Sequence, residues 1–177
     1  MNILAVIPAK GESTRLPGKN MRQIAGKTLI EIAVEYAKSS QIVTDIVVST
    51  DSNAIKEFVE SNGLCECIMR NKSLAGEADV TEVYYHAWQS KEQIANYVVG
   101  IQPDHPNRNL NIDDVLNYVF AKKLDDLITV DESGQKNGSL RILRCPFNSL
   151  WHVGSLRDNC VNIHTEEDLE KTIAAVE

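Results

Sequence analysis

The chain has 177 residues, of which 43% are hydrophobic and 24% charged, a balance that fits one globular domain with a sizeable core. The formal net charge is -7, and cationic residues form no run longer than Lys122-Lys123, so a surface that coats nucleic acid is not expected. The apolar start, residues 3–8, is too short to span a membrane, and charged residues follow it at once, which argues against a signal peptide.

The cysteines favour a reduced, cytoplasmic protein. Their positions are Cys65, Cys67, Cys145 and Cys160, and only the first two lie close together. A single C-x-C without a second ligand pair nearby makes a zinc site the less favoured alternative.

Apolar runs typical of strands alternate with segments of helical period along most of the chain. Strands are predicted at residues 3–7, 45–50, 64–69, 97–101 and 127–130. Helices are predicted after a Thr28–Glu31 capping box, after Asp51 or Ser52, from about Asp79, and near residues 112–122. This alternation predicts a three-layer α/β/α fold with a mostly parallel, doubly wound sheet, formed by residues 1–177 as a single domain.

The pattern changes after residue 130. Residues 131–138 are predicted to form a polar turn and 139–143 a strand, whereas 146–154 fit no element clearly. Thr165 is predicted to cap a last helix, with Asp168 at the capping-box position. Ligands of doubly wound sheets bind outside the carboxyl ends of the strands, so the loops after Ile7, Met69 and Ile101 are predicted to form the site.

The loop after the first strand carries the strongest functional signal. It reads Pro8-Ala-Lys-Gly-Glu-Ser-Thr-Arg-Leu-Pro-Gly-Lys-Asn20. A triphosphate requires converging backbone N–H groups and fixed positive charge. Gly11 would allow a close backbone approach and Ser13 could donate its hydroxyl. The charges that could neutralise phosphate belong to Lys10, Arg15 and Lys19. The loop lacks the Gly-Lys-Ser/Thr junction of a P-loop, and a solvated basic loop is the alternative.

The order of these residues resembles the loop of the acylneuraminate and 3-deoxy-manno-octulosonate (KDO) cytidylyltransferases, P-A-R-x-x-S-x-R-x-P-x-K-N, with Lys10 at the usual Arg. The Ser-Thr-Asp ending of residues 46–51 also resembles that family. Arg70 and the following Leu74-Ala75-Gly76 resemble its cytosine-binding R-x-x-x-L-A-x-D segment. Glu77 or Asp79 then stands near the acidic position and Thr81 near the hydroxyl position. A surface charge after a strand is the alternative for Arg70.

Residues 101–106, Ile-Gln-Pro-Asp-His-Pro, resemble two variants of the family's fourth-strand motif. One is Q-P-T-S-P of the sialic-acid enzymes, and the other is Q-G-D-E-P of the KDO enzymes, whose Asp binds magnesium. The resemblance implies that Asp104 is a metal ligand, while a helix cap or turn residue is the alternative. His105 is interpreted as a loop residue rather than a general base.

The resemblance implies an enzyme that transfers CMP from CTP to a small acidic sugar, sialic-acid-like or KDO-like, with release of pyrophosphate. Mg²⁺, or alternatively Mn²⁺, would assist in-line attack on the α-phosphate. A homodimer stays an open alternative for the assembly, because the arm that contributes to the dimer in the sialic-acid enzymes is shortened here. The implied catalytic residues are Lys10, Arg15, Lys19 and Asp104, and the implied metal ligands are Asp104 and His164. The implied nucleotide-binding residues are Ala9, Gly11, Ser13, Asn20, Arg70, Thr81 and Gln102.

The carboxyl-terminal part departs from the family. Residues 137–140 resemble its N-G-A-I strand, and residues 161–169 resemble D-I-D-T-x-x-D-L, but Asn162 and His164 replace the two metal-binding aspartates. An amide and an imidazole are weaker magnesium ligands than carboxylates. The sugar-binding arm of the sialic-acid enzymes is reduced to residues 131–136. Two alternatives therefore stay open: a nucleotidyltransferase of different base specificity, and a catalytically weakened homologue that binds nucleotide or a partner chain.

Overall fold

The structure is a computed structural model that describes residues 1–74, 79–147 and 152–176. Its regular elements follow in chain order. They are β1 (Ile3–Pro8), β2 (Gln23–Ile24), β3 (Lys27–Thr28), α1 (Leu29–Lys38), β4 (Asp45–Thr50), α2 (Asn53–Ser61), β5 (Glu66–Met69), α3 (Val80–Ser90), β6 (Tyr97–Ile101), α4 (Ile112–Lys122), β7 (Asp126–Val130), β8 (Lys136–Arg144), β9 (Val153–Arg157) and α5 (Glu166–Ala174).

A seven-stranded sheet in the order β5-β4-β1-β6-β8-β7-β9 forms the centre of the fold. β1 lies inside it because its residues, from Ile3 to Ile7, are all apolar and at most 1% exposed. The neighbouring pairs are parallel except where β8 runs antiparallel to β6 and to β7. The predicted mostly parallel sheet is therefore confirmed.

Helices cover both faces of this sheet. Side chains along β1 alternate between the faces, so Ile3, Ala5 and Ile7 pack with α1, α2 and α4, whereas Leu4 and Val6 pack with α3. The predicted three-layer α/β/α arrangement is confirmed. No helix within the described ranges is long and apolar enough to cross a bilayer.

The predicted helix starts are confirmed by their caps. Thr28 and Glu31 form a capping box at α1, and Thr165 and Asp168 form another at α5. Ser52, rather than Asp51, caps α2 by accepting a hydrogen bond from the Ile55 amide. These contacts span three residues, which is why the sequence alone predicts them.

The structure differs from the sequence prediction at the starts of β5 and β8, and it adds a strand in the unassigned segment. β5 begins at Glu66, two residues after the predicted start. The predicted polar turn at residues 131–138 is too long, because the Asp131 carboxylate accepts backbone hydrogen bonds from Ser133 and Gln135 and closes the turn within five residues. β8 therefore begins at Lys136, which pairs with Val130. In the segment left unassigned, residues 148–151 lie outside the described residues, and β9 follows as an edge strand parallel to β7.

Candidate active site

A cleft of about 270 Å³ opens where the carboxyl ends of β1, β5 and β6 meet. The loops after these strands are the ones that the sequence predicted to form the site. Four predicted cationic residues line the cleft: Lys10, Arg15, Lys19 and Arg70. Four further predicted residues complete its polar wall: Asn20, Gln102, Asp104 and His164.

Four other predicted ligand-binding residues do not line the cleft. Ala9 is fully buried, and its amide donates to the Ser49 carbonyl at 2.9 Å. Ser13 Oγ accepts a 3.4 Å hydrogen bond from the Leu16 amide. Thr81 Oγ1 donates to Asp79 at 2.6 Å and accepts from Arg141. Gly11 packs against the end of β4 instead. The predicted Ala75, Gly76 and Glu77 lie outside the described residues.

Gly11 fixes the loop against the end of β4. Its amide donates to Asp51 Oδ1 at 2.9 Å, and a Cβ atom at this position would lie only 2.7 Å from the Ser52 Cβ. Asn20, 5% exposed, closes the loop from its other end, because its Nδ2 donates to the Lys10 carbonyl at 2.8 Å. Both contacts keep the cationic stretch between them beside the strand ends.

A small apolar cluster brings the C-terminal segment to the same cleft. Leu16 of the loop packs with Ile24, Leu29, Ile163 and Leu169, and Leu16 and Ile163 are at most 1% exposed. The Ile163 amide also donates to the Asp104 carbonyl at 2.8 Å. His164, the next residue, is thereby held on the cleft wall beside the loop after β6.

Asp104 is the carboxylate at the centre of the cleft. Its Oδ2 accepts from Lys19 Nζ at 2.5 Å, and its Oδ1 lies 2.9 Å from His105 Nδ1. Burial alone would raise the Asp104 pKa, but the hydrogen bond from His105 and the charge of Lys19 outweigh it and hold the pKa well below its usual range. Asp104 is thus a carboxylate at neutral pH.

The interpretation of His105 as a plain loop residue is incomplete. His105 is fully buried, and its Nδ1 fixes the orientation of the Asp104 carboxylate. The sequence shows two consecutive polar residues, Asp104 and His105, after a strand, and it gives no sign that the His105 side chain is buried. Its burial follows from packing around the end of β6, which local sequence does not encode.

Asn162 and His164 offer unused ligand atoms. Asn162 Oδ1 and His164 Nδ1 are buried and have no hydrogen-bond partner among the described residues. Burial lowers the His164 pKa, and the charges of Arg15 and Lys19 lower it further, so the imidazole is neutral at pH 7. No group of three or more His, Cys, Asp or Glu side chains in the described ranges could hold a metal by itself. A divalent cation at Asp104 and His164 would therefore need further ligands, from a bound anion or from water.

Arg70 and Arg108 tie the strand ends together. Arg70 is 7% exposed, so the alternative of a surface charge is wrong; its guanidinium donates to the Ser49 carbonyl and hydroxyl. Arg108, which the sequence analysis missed, donates to the carbonyls of Gln102 and Ser139. Its guanidinium lies 5.1 Å from the centre of the Tyr36 ring. Its position two residues after the Gln-Pro-Asp-His-Pro segment is the signal that could have identified it.

The charge of the cleft is opposite to that of the chain. Four cations and one carboxylate line the cleft in a protein whose net charge is -7. Among the described residues, Lys10 and Arg15 have no ion-pair partner, so their charges are available to a ligand. Such a cleft attracts a compact polyanion.

Comparison with known proteins identifies the family. The sequence profile of the family described as Cytidylyltransferase matches residues 4–135. A 3-deoxy-manno-octulosonate cytidylyltransferase from Bdellovibrio bacteriovorus is 34% identical over 158 residues, which cover 85% of this chain and 62% of that protein. A CMP-N,N'-diacetyllegionaminic acid synthase from Legionella pneumophila is 38% identical over 114 residues, which cover 61% of this chain and 48% of that protein. The chain thus spans about half to three fifths of the length of these relatives.

Solved structures agree on the fold. A CMP:2-keto-3-deoxy-manno-octonic acid synthetase in complex with CTP superposes with a TM-score of 0.79 at 16% identity, covering 99% of this chain and 98% of that one. At such low identity the superposition is evidence for the fold alone. The match over residues 4–135 includes the cationic loop, Arg70 and Asp104, and on that match the chain belongs to the cytidylyltransferase family.

Proposed function

We propose that this chain is a nucleotidyltransferase that transfers CMP from CTP to a small sugar acid, KDO-like or sialic-acid-like, and releases pyrophosphate. The observation that carries the proposal is the cleft itself. Lys10, Arg15 and Lys19 line the same cleft as the Asp104 carboxylate, at the carboxyl ends of β1 and β6. Membership of the cytidylyltransferase family and the names of the two relatives support the choice of base and acceptor.

In this proposal the cations bind and orient the triphosphate. Lys10 and Arg15 would neutralise the phosphates, and Lys19 would neutralise the charge that develops on the departing pyrophosphate. Arg70, held by Ser49 at the end of β4, would fix the base end of the nucleotide. The acceptor oxygen would attack the α-phosphorus. The bond from the α-phosphorus to the oxygen that bridges it to the β-phosphate would break, and pyrophosphate would leave. No covalent enzyme intermediate is required, because positioning and electrostatics supply the rate enhancement.

The donor atoms around Asp104 fit a divalent cation, Mg²⁺ or Mn²⁺. Asp104 would hold it together with His164, and Asn162 Oδ1, which has no partner among the residues that the structure describes, lies on the same segment. When bound, such a cation neutralises phosphate charge during phosphoryl transfer. One carboxylate and one imidazole suit Mn²⁺ better than the all-oxygen sets that Mg²⁺ prefers. We therefore expect Mn²⁺ to support turnover at least as well as Mg²⁺.

Two measurements test the proposal. Calorimetry with CTP, UTP, GTP and ATP in the presence of Mn²⁺ should give a micromolar Kd for CTP and much weaker binding of the others. If GTP binds best, the alternative of a different base is correct. Pyrophosphate release with CTP and a panel of sugar acids then separates an enzyme from a homologue that binds nucleotide without turnover.

The site residues need a matched control. Lys19→Ala and Asp104→Asn should each abolish pyrophosphate release, whereas Lys171→Ala, which removes a cation from the exposed pair with Glu167 on α5, should leave it unchanged. Turnover of wild-type rate in both site variants would contradict the assignment.

We also propose that the protein acts in the cytoplasm, activating a sugar acid for polysaccharide biosynthesis, and that it forms a homodimer. Four free, partly buried cysteines support a reducing compartment. Burial raises the pKa of Cys65 and of Cys67 to about 11, so neither thiol is poised to oxidise. Cell fractionation tests the location, and light scattering on the purified chain tests the dimer.

A further inference from the structure

Both oxygens of the Asp104 carboxylate are already in use. Lys19 Nζ lies 2.5 Å from Oδ2, and His105 Nδ1 lies 2.9 Å from Oδ1. Of the described residues that line the cleft, Asp104 carries the only carboxylate. A cation that binds to this carboxylate therefore lies within a few ångströms of the Lys19 ammonium.

The Lys19 ammonium is held where a cation would have to bind. Besides Asp104, it donates to the Ile163 carbonyl at 3.3 Å, and the Lys19 side chain is 12% exposed. Ile163 stands between Asn162 and His164, whose buried Oδ1 and Nδ1 atoms have no hydrogen-bond partner in the described part of the chain. Lys19 thus bridges Asp104 to the segment that carries the unused ligand atoms.

Electrostatics make joint occupancy unfavourable. Two cations a few ångströms apart repel strongly at a site with little solvent screening, so a divalent ion and the ammonium each weaken the binding of the other to this one carboxylate. A triphosphate changes this balance. Its negative charge, bound by Lys10 and Arg15, offers the flexible Lys19 side chain a second anionic partner.

We propose that Lys19 and a divalent cation compete for Asp104, so that the cation binds only with or after the nucleotide, whose phosphates draw the ammonium away. The inference rests on the proposed function, because it takes the anion to be CTP. Lys19 then has two successive partners: Asp104 in the free protein and phosphate in the complex. The free protein is thereby kept from binding a divalent cation unproductively.

The test measures Mn²⁺ binding without nucleotide, by the electron paramagnetic resonance signal of free Mn²⁺. Lys19→Met should bind Mn²⁺ at least about tenfold more tightly than the wild type, since it removes one unit charge in contact with the carboxylate. Lys10→Met is the matched control. It removes the same charge from the same cleft but breaks no contact with Asp104, so its affinity should change by less than about threefold.

Two further variants secure the interpretation. Lys19→Gln keeps a donor for the Ile163 carbonyl and should show the same gain, which guards against a misfolded Lys19→Met protein. Combining Lys19→Met with Asp104→Asn should abolish the gain.

CTP should raise the Mn²⁺ affinity of the wild type by about tenfold or more, because it releases Asp104 and adds phosphate ligands.

Three outcomes would overturn the inference. One is a wild-type protein that binds Mn²⁺ without nucleotide as tightly as Lys19→Met does. Another is an equal gain in Lys10→Met, which would mean that general charge and not the ion pair excludes the cation. The third is a gain that survives Asp104→Asn. Failure of the proposed function would show differently, as absence of CTP binding in calorimetry, whereas the comparison of Mn²⁺ affinities between the wild type and the variants is made without nucleotide.

Discussion

Replacing Gly11 by Ala should displace the cationic loop, and the structure allows the size of the effect to be worked out. The added Cβ would lie 2.7 Å from the Ser52 Cβ and 3.3 Å from its Oγ. The Ser52 Cβ cannot rotate away, so the loop must move by about 1 Å to reach an ordinary carbon–carbon contact of about 3.5–4.0 Å. Overpacking of this kind costs about 1–3 kcal/mol.

The displacement should be visible in both stability and binding. For a chain of this size, about 1–3 kcal/mol lowers Tm by about 2–12 °C in a thermal melt. The same movement misplaces phosphate contacts, and loss of one charge-assisted hydrogen bond, about 1.5–3 kcal/mol, weakens CTP binding by about tenfold or more. Calorimetry measures the second effect independently of the first.

Ser52→Gly provides the decisive control. It removes the atom that clashes, and Gly in place of a Ser helix cap costs only about a few tenths of a kcal/mol. Gly11→Ala combined with Ser52→Gly should therefore recover most of the Tm and of the CTP affinity. If the two single effects simply add, within about 0.5 kcal/mol, the steric account of Gly11 is refuted.

Three further predictions concern other parts of the fold. Gly100→Ala should destabilise the protein by about 3 kcal/mol in urea unfolding, since its Cβ would meet Tyr84 ring atoms at 2.1–2.6 Å; an unchanged midpoint would contradict this packing. Ile163→Ala should cost about 2–5 kcal/mol and also weaken CTP binding, because Ile163 packs on Leu16 of the loop; calorimetry on the folded variant separates the two effects. The pKa of Asp104 is lower in the folded protein than in the unfolded protein, where it is about 3.9. The ionised carboxylate therefore stabilises the fold fully above about pH 4, and this stabilisation is lost as pH falls through the folded-state pKa. The stability difference between wild type and Asp104→Asn should then be constant from pH 5 to 7 and shrink below about pH 4, and a difference independent of pH down to pH 2 would contradict the ion pair.

The sequence predicted the elements whose signals are local. The bounds of β4, β6 and α4 agree with prediction, because an apolar run or a helical period lies within the element itself. β9 escaped prediction for the opposite reason. Val153 is 59% exposed, and an edge strand with little buried surface carries no strong hydrophobic pattern. Its strand conformation comes from pairing with β7.

The candidate site divides in the same way. Lys10, Arg15 and Lys19 could be identified from sequence because they stand close together in one loop after a buried strand. The sequence could not show that Lys19 is paired with Asp104, a contact across 85 positions, or that His105 turns inward behind it. Nor could it show that Thr81 bonds to Arg141 instead of lining the cleft.

By itself, then, the sequence determined the α/β fold, the helix caps and the cationic character of the loop, since each depends on neighbours a few residues apart. The tertiary structure decided which of those charges remain available. Packing of Leu16 on Ile163 brings together segments almost 150 residues apart and sets Lys19 against Asp104. The opening loop therefore contains two cations without an ion-pair partner among the described residues, Lys10 and Arg15, and a third that is already engaged, because only the folded chain brings its carboxylate within reach.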